Sequence, residues 1–181
     1  MEFQDTKFKD VKLITPKVFE DARGFFLESY SYQVFKDHGI DIKFIQDNHS
    51  KSVEKGVLRG LHCQKPPYTQ AKLVRVTRGA VIDVIVDIRN DSDTYGQWEA
   101  YELTESNFRM LYVPHGFLHG FVTTEPNTEF QYKVDNYYNK ESEDGVIWND
   151  TDLKIDWGTE SPILSDKDKI LHKFSEFKSP F

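Results

Sequence analysis

The chain has 181 residues, of which 38% are apolar and 14% aromatic, and its formal net charge is −7. This length predicts a single domain over residues 1–181. Residues 1–30 are expected to be an N-terminal arm and strand segment shared at an interface between two copies of the chain. The acidic balance argues against general binding to nucleic acid, because such proteins are usually basic.

The cysteine content and the first residues bear on the cellular compartment. Cys63 is the single cysteine, so no disulfide can form within the chain, and an intracellular location is the default. Residues 1–5 lack the charged and then apolar pattern of a secretory signal, and no apolar run approaches the ~18 residues of a membrane span. We therefore expect a cytoplasmic protein without a membrane partner.

Short segments of strand character alternate with turns along most of the chain. Ser31 and Gly39 are suited to begin and end one short helix that runs to His38. The predicted strands lie within residues 8–19, 25–30, 44–50, 56–64, 72–79, 80–88, 98–103, 110–113, 120–124 and 130–134. Short strands with turn signals every ~8–12 residues are typical of all-β sandwiches and barrels.

The C-terminal part has a different character. Residues 165–168, Ser-Asp-Lys-Asp, have the form of a capping box and predict a short helix toward His172. The fold prediction is therefore an all-β jelly-roll barrel with a few short helices, mainly near the C-terminus.

The stretch from Gly56 to Gly79 carries the most informative polar residues. Arg59 precedes His62 by three residues on one predicted strand, and Lys72 opens the next strand. Two cations and an imidazole are costly on an inward face unless they hold an anion. The stretch therefore predicts a site for an anionic ligand.

The spacing in this stretch resembles the first cupin motif, which reads Gly-x5-His-x-His and then Glu-x6-Gly. The chain has Gly56-x5-His62-x-Gln64 and then Lys72-x6-Gly79, and residues 114–119, Pro-His-Gly-Phe-Leu-His, resemble the core of the second motif. Gln64 and Lys72 replace two metal ligands of this template, and a cation repels a divalent metal. The resemblance therefore implies a cupin-type fold whose site holds no metal and serves acid–base chemistry.

Nearly the whole chain, from about residue 5 to 172, resembles the dTDP-4-dehydrorhamnose 3,5-epimerase family. The motifs that carry the resemblance are Asp21-x-Arg23-Gly24-Phe25-Phe26-x-Glu28, Gln46-Asp47-Asn48, Leu58-Arg59-Gly60-Leu61-His62-x-Gln64, Lys72-Leu73-Val74, Val113-Pro114-x-Gly116-Phe117-x-His119-Gly120-Phe121, Tyr132-Lys133, Tyr137-Tyr138, Gly145-Val146-x-Trp148-Asn149-Asp150 and Leu164-Ser165-x-Lys167-Asp168. These motifs are long and lie in the expected order, so chance agreement is a poor explanation.

The resemblance implies three catalytic residues, each of which also has a structural interpretation. His62 would be the general base, since imidazole exchanges protons near neutral pH, or else a hydrogen-bonded core histidine. Tyr132 would donate a proton from the opposite face of the sugar, or else pack on its strand. Asp168 would orient His62, or else serve as the last residue of the capping box. The two roles of Asp168 are not expected to share one rotamer easily.

Further residues are implied as substrate contacts. Lys72 and His119 would stabilise an oxyanion at sugar C4, although a lysine there is also suited to a solvated strand end. Arg23 and Arg59 would hold the pyrophosphate, although either arginine is also suited to a surface salt bridge. Tyr138 would stack on the thymine. The remaining implied contacts are Phe26, Glu28, Gln46, Asp47, Asn48, Glu143 and Lys167. Cys63 is expected to be an apolar filler that points away from His62.

The implied reaction is epimerisation of dTDP-4-dehydro-6-deoxy-D-glucose at C3 and C5, which gives dTDP-4-dehydro-L-rhamnose in dTDP-L-rhamnose biosynthesis. The reaction involves no redox change, so no cofactor is expected. The resemblance also implies a homodimer in which the segment from Arg23 to Glu28 reaches the partner's site. The alternatives are a mono-epimerase or ketoisomerase for a related dTDP-4-keto-6-deoxy sugar, and a non-catalytic or metal-dependent cupin.

Overall fold

The computed structural model describes residues 1–181, which form short β-strands, one α-helix and three 3-10 helices. The strands are β1 (Glu2–Asp5), β2 (Lys12–Thr15), β3 (Val18–Asp21), β4 (Gly24–Leu27), β5 (Gln46–Ser52), β6 (Leu58–Gln64), β7 (Lys72–Arg78), β8 (Ala80–Asp87), β9 (Trp98–Thr104), β10 (Met110–Val113), β11 (Phe117–Thr123), β12 (Thr128–Val134) and β13 (Glu143–Gly145). The helix α1 comprises Tyr32–Asp37, and the 3-10 helices comprise Lys140–Ser142, Asp168–Ile170 and Phe174–Glu176.

Two antiparallel sheets form the body of the molecule. A six-stranded sheet has the order β1-β2-β10-β7-β12-β5, and a five-stranded sheet has the order β13-β6-β11-β8-β9. Apolar residues from both sheets meet in one core, for example Val74 and Phe130 from the first sheet and Ile85 and Phe121 from the second. The predicted all-β jelly roll is confirmed.

The three central strands of the five-stranded sheet, β6, β11 and β8, are largely buried on both faces. The outer face of this sheet packs against the C-terminal segment, including Leu153, Trp157 and Phe177. This double burial explains why β8 reads as an almost continuous apolar run. Cys63 lies in this outer layer, and burial raises the pKa of its thiol to about 12. The prediction that Cys63 is an apolar filler agrees with this position.

The predicted helices are only partly as expected. Helix α1 follows Ser31 and ends before Gly39, which has a φ of +86°, although the Ser31 side chain makes no capping hydrogen bond. In the C-terminal part only short 3-10 turns form where a helix toward His172 was predicted. No helix of the chain has the length and apolar character needed to cross a membrane.

Two glycines allow β6 and β11 to approach closely at the centre of the five-stranded sheet. Gly60 has a φ of +124°, and a Cβ on it would lie 2.6 Å from the Cα of Gly120. A β-bulge occurs at this point, between His119 and Phe121 of β11, and His119 is paired with His62 of β6. The close contact therefore places two histidines side by side on the inner face.

Candidate active site

The inner faces of the two sheets diverge to enclose a cavity of about 610 Å³. Apolar walls are provided by Leu58, Phe121 and Phe130, and residues 163–168 of the C-terminal segment close one side. Eight of the residues implied by the sequence line it, namely Arg59, His62, Lys72, His119, Tyr132, Glu143, Lys167 and Asp168. Tertiary structure thus brings together side chains from both sheets and the tail.

His62 is paired with a buried carboxylate. Its Nε2 lies 2.5 Å from Oδ1 of Asp168, which is only 2% exposed. Its Nδ1 makes no hydrogen bond within the chain and remains available to a ligand. A carboxylate that holds the proton on one ring nitrogen leaves a lone pair on the other, which is the arrangement of a general base.

The carboxylate of Asp168 is the partner of His62, and only the backbone of Asp168 takes part in a capping contact. Its Oδ1 binds His62, and its Oδ2 accepts a hydrogen bond of 2.7 Å from Oγ of Ser165. The backbone N–H of Asp168 in turn donates to Ser165 Oγ at 3.2 Å, as in a capping box. The reciprocal half of a capping box, a hydrogen bond from the backbone N–H of Ser165 to the Asp168 carboxylate, is not formed, because both carboxylate oxygens bind other groups. This agrees with the expectation that one rotamer would not easily serve both roles. Burial would raise the pKa of Asp168, but the hydrogen bonds from His62 and Ser165 outweigh it and hold the pKa below its usual range.

Tyr132 lies on the wall opposite His62. It belongs to β12 of the six-stranded sheet, whereas His62 belongs to β6 of the five-stranded sheet, and both line the cavity. Burial raises the pKa of the Tyr132 phenol above its ordinary value, although the nearby Arg59 acts in the opposite direction. The phenol therefore carries its proton at neutral pH and faces a base across the cavity. Its ring also packs against the core beside Phe130, so the structural interpretation holds as well.

Lys72 and His119 lie together on neighbouring parts of the cavity wall. Nζ of Lys72 is 3.5 Å from Nδ1 of His119, and Nε2 of His119 is 2.9 Å and 3.0 Å from the two oxygens of Asp83. Burial lowers the pKa of His119, so that its neutral form is favoured. Burial also lowers the pKa of Lys72 from its usual range.

Charged groups at the cavity mouth form a short network. Glu143 accepts hydrogen bonds of 2.7 Å from Lys167 and 3.1 Å from the Tyr138 hydroxyl. Burial would raise the pKa of Glu143, but Lys167, together with smaller effects of His62 and Tyr138, outweighs burial and lowers the pKa. Arg59 lines the same cavity and is exposed, and no carboxylate within the chain pairs with it. Its guanidinium is therefore free to bind an anion.

Seven of the implied contacts are not part of the cavity lining. One of them, Tyr138, is bound to the lining residue Glu143, and the other six lie away from the cavity. Arg23, Phe26 and Glu28 lie on or next to the hairpin formed by β3 and β4, where Arg23 forms an exposed ion pair with Asp21. On β5, Gln46 and Asn48 share a face, whereas Asp47 points to the other face and pairs with Lys133 at 2.7 Å. The structure does not bring these six residues into the cavity of their own chain.

Two features of the site were missed in the sequence. The sequence predicted Asp83 only as part of an apolar strand and Ser165 only as a helix cap, with no role in the site for either residue. A charged residue between Ile82 and Val84 on an inward position was a signal, because buried carboxylates need partners. Its partner, His119, was not predictable from the strand itself.

Comparison with known proteins identifies the family. The family model described as dTDP-4-dehydrorhamnose 3,5-epimerase matches residues 5–176. A curated protein of that name from Shigella flexneri is 49% identical over 170 residues, which cover 93% of each chain.

Two solved structures extend this similarity to the fold. The enzyme of that name from Bacillus anthracis, with TDP and PPi bound, is 51% identical over 96% of this chain and 99% of its own, with a TM-score of 0.94. The dTDP-6-deoxy-D-glucose-3,5-epimerase from Legionella pneumophila, in complex with dTDP-4-keto-L-rhamnose, is 41% identical over 98% of this chain and 94% of its own, with a TM-score of 0.93. The chain therefore belongs to the dTDP-4-dehydrorhamnose 3,5-epimerase family.

Proposed function

We propose that this chain inverts C3 and C5 of dTDP-4-dehydro-6-deoxy-D-glucose and releases dTDP-4-dehydro-L-rhamnose. The observation that carries the proposal is the placement of His62 and Tyr132 on opposite walls of one cavity. Epimerisation needs a base on one face of a carbon and an acid on the other face. The family membership of the chain supplies the substrate class.

The first step removes a proton next to the C4 ketone. Nδ1 of His62 takes the proton, and the imidazolium that forms is stabilised by the carboxylate of Asp168 at 2.5 Å from Nε2. The electron pair of the C–H bond moves into the ring as an enolate, whose charge develops on the C4 oxygen. The ammonium of Lys72 is the cation on the cavity wall suited to this oxygen.

The second step returns a proton to the opposite face. Tyr132 donates its phenolic proton to the carbon, the ketone re-forms, and the centre is inverted. His62 then holds one extra proton and Tyr132 lacks one, and exchange with solvent restores both. In a gluco-configured ring the hydrogens on C3 and C5 lie on the same face. One base and one acid therefore serve both carbons, and both enolates share the C4 oxygen.

The nucleotide part of the substrate would lie toward the exposed end of the cavity. Arg59 presents a guanidinium without a carboxylate partner, which suits the pyrophosphate. Tyr138 is 52% exposed and is held through its hydroxyl to Glu143, so its ring is free to stack on a base. The relative from Bacillus anthracis, solved with TDP and PPi bound, supports this type of ligand.

The hairpin of β3 and β4 supports a homodimer with shared sites. Phe19, Phe25 and Phe26 are 53%, 59% and 69% exposed on this hairpin, which is a large apolar surface for a short element. Arg23 and Glu28 lie outside the cavity of their own chain. We infer that the hairpin packs on a second copy and completes that copy's cavity with Arg23, Phe26 and Glu28.

Subunit mixing tests this arrangement. The variants His62→Ala and Arg23→Ala/Glu28→Ala are each expected to be inactive alone, because each lacks one part of every site. Hybrid dimers contain one site with both parts intact, so activity should reappear when the variants are unfolded and refolded together. Activity that stays absent in the refolded mixture would show that each chain forms its own complete site.

Incubation with the 4-keto sugar nucleotide in heavy water tests the reaction itself. Deuterium is expected at both C3 and C5 of the product, because each inverted carbon takes its new proton from a solvent-exchanged group. Label at one carbon only would contradict double epimerisation. The absence of label at both carbons would contradict the enzymatic role.

A further inference from the structure

Asp83 is a carboxylate in the interior of the barrel with one side-chain partner. It lies on β8 between Ile82 and Val84, has no exposed surface, and its only hydrogen bonds are those of both oxygens to Nε2 of His119. Burying a carboxylate with so few partners is costly. The mechanism described above does not use Asp83, so this cost requires another explanation.

His119 connects Asp83 to the cavity. A ring nitrogen that faces two carboxylate oxygens carries the proton, so Nε2 is the donor and Nδ1 has the lone pair. That lone pair points toward Nζ of Lys72 at 3.5 Å, the long end of the hydrogen-bond range. The three residues therefore form a chain of carboxylate, neutral imidazole and ammonium, which ends at the cavity.

This order has two consequences for Lys72. One of its three N–H groups is directed at His119, which leaves two for a ligand. The imidazole also keeps the carboxylate out of direct contact with the ammonium, so the positive charge is not neutralised by an ion pair. A lysine paired directly with a buried aspartate would offer less charge to an oxyanion.

We propose that Asp83 is a positioning residue for the epimerisation, which acts through His119 to hold the Lys72 ammonium where the C4 oxygen gains charge. The proposal rests on the proposed function, in which Lys72 stabilises the enolate. It also assigns His119 a role that differs from the sequence expectation. With Nε2–H bound to Asp83 and no proton on Nδ1, His119 has no N–H for the oxyanion and orients Lys72 instead.

The groups around Lys72 predict a pH effect. Burial lowers its pKa, the negative charges of Asp83 and Glu143 raise it, and Lys167 lowers it. Cys63 lies nearby as a neutral thiol, and His119 faces Lys72 as the neutral imidazole. Replacing Asp83 by Asn removes a negative charge, so the ammonium should lose its proton at lower pH. The alkaline limb of the kcat profile, where Lys72 deprotonates, should therefore move to lower pH.

The decisive pair of variants is Asp83→Asn and Asp87→Asn. Both aspartates are fully buried on β8 and point to the same side of the strand, but Asp87 binds Arg89, Ser92 and Thr94 away from the cavity. Asp83→Asn should shift the alkaline limb and lower kcat about 10–100-fold, the range known for removal of the hydrogen-bonding partners behind metal ligands. Asp87→Asn should lower stability and leave the shape of the pH profile unchanged. Equal profiles for the two variants would overturn the proposal.

Nitrogen-15 NMR of the ligand-free protein gives a reading that does not depend on turnover. In the wild type, His119 should be neutral with its proton on Nε2. Asp83→Asn should introduce the tautomer with the proton on Nδ1, since the amide of the new side chain can donate a hydrogen bond to Nε2 as well as accept one. A wild-type proton on Nδ1 overturns the proposal, even if Asp83→Asn does not fold. Failure of the wild type to place deuterium in the sugar would instead contradict the proposed function, and this NMR result would be unaffected.

Discussion

Nε2 of His62 and Oδ1 of Asp168 lie 2.5 Å apart, although 106 residues separate them in the sequence. Backbone hydrogen bonds place the C-terminal segment beside the start of β6, from Leu58 to Ile163 at 3.0 Å and from Ile163 to Gly56 at 2.8 Å. The segment that follows then carries Asp168 over the inner face. The C-terminal segment is therefore part of the site as well as a cover for the sheet.

Replacing His62 by Ala should nearly abolish turnover and leave nucleotide binding intact. Removing a well-placed base typically costs ~10²–10⁴ in rate, and the proposed phosphate contacts are made by other residues. The measurements are product formation and calorimetric titration with dTDP. Cys63→Ala is the matched control, because Cys63 is adjacent in sequence but lies in the outer apolar layer. Near-normal activity of His62→Ala would exclude His62 as the base.

Tyr132→Phe should separate proton removal from inversion. The ring still packs beside Phe130, but the phenolic proton is lost, so His62 can form the enolate while no acid serves the opposite face. In heavy water, NMR should show deuterium in the recovered substrate and little inverted product. Tyr137→Phe, at an exposed tyrosine outside the cavity lining, should behave as the wild type. Full inversion by Tyr132→Phe would require another proton donor.

Arg59 should contribute mainly to nucleotide affinity. Arg59→Ala removes the whole phosphate contact and should weaken dTDP binding by about tenfold. Arg59→Lys should also weaken binding, because lysine keeps the charge but loses the planar fork for phosphate oxygens. Binding by the wild type should fall with added salt more steeply than binding by Arg59→Ala. Arg78→Ala, at an exposed arginine near the far end of β7, is the control. Unchanged affinity of Arg59→Ala would rule out the contact.

The charge of Asp87 should stabilise the folded protein at neutral pH, and this contribution should be lost in acid. Burial would raise its pKa, but hydrogen bonds from Arg89, Ser92 and Thr94 outweigh it and lower the pKa to about 2. A carboxyl with a depressed pKa stabilises the folded state above its unfolded pKa of ~4, and this contribution of about 2 kcal/mol is lost as the pH falls from ~4 to ~2.

Urea unfolding of the wild type and Asp87→Asn over this pH range measures the effect. The difference in unfolding free energy between the two proteins should be largest at neutral pH and should shrink toward pH 2. Asp93→Asn, at an exposed aspartate in the same loop, should follow the wild type. A constant difference across the range would mean that the Asp87 charge does not contribute.

Much of the fold was predictable because its signals are local. The double burial of β8 appears as an apolar run, and the ends of α1 are marked by Ser31 and Gly39. The spacing from Gly56 to Gly79 predicted that His62 and Lys72 belong to the functional site, and both residues line the cavity. In β5, the alternation of strand side chains by itself requires one of Gln46, Asp47 and Asn48 to face away from the other two, and that residue is Asp47.

By itself, the sequence of this protein determined the strand pattern, the family and the residue types of the acid–base site. The family resemblance implied that Asp168 orients His62, but only the tertiary structure showed that contact and paired Asp83 with His119. Asp168 reaches His62, and Asp83 reaches His119, through contacts between elements that are distant in sequence. Such pairings depend on the register of the strands and on the path of the C-terminal segment. No local sequence pattern encodes them, because a hydrogen bond between side chains depends on their positions in space and not on their spacing along the chain.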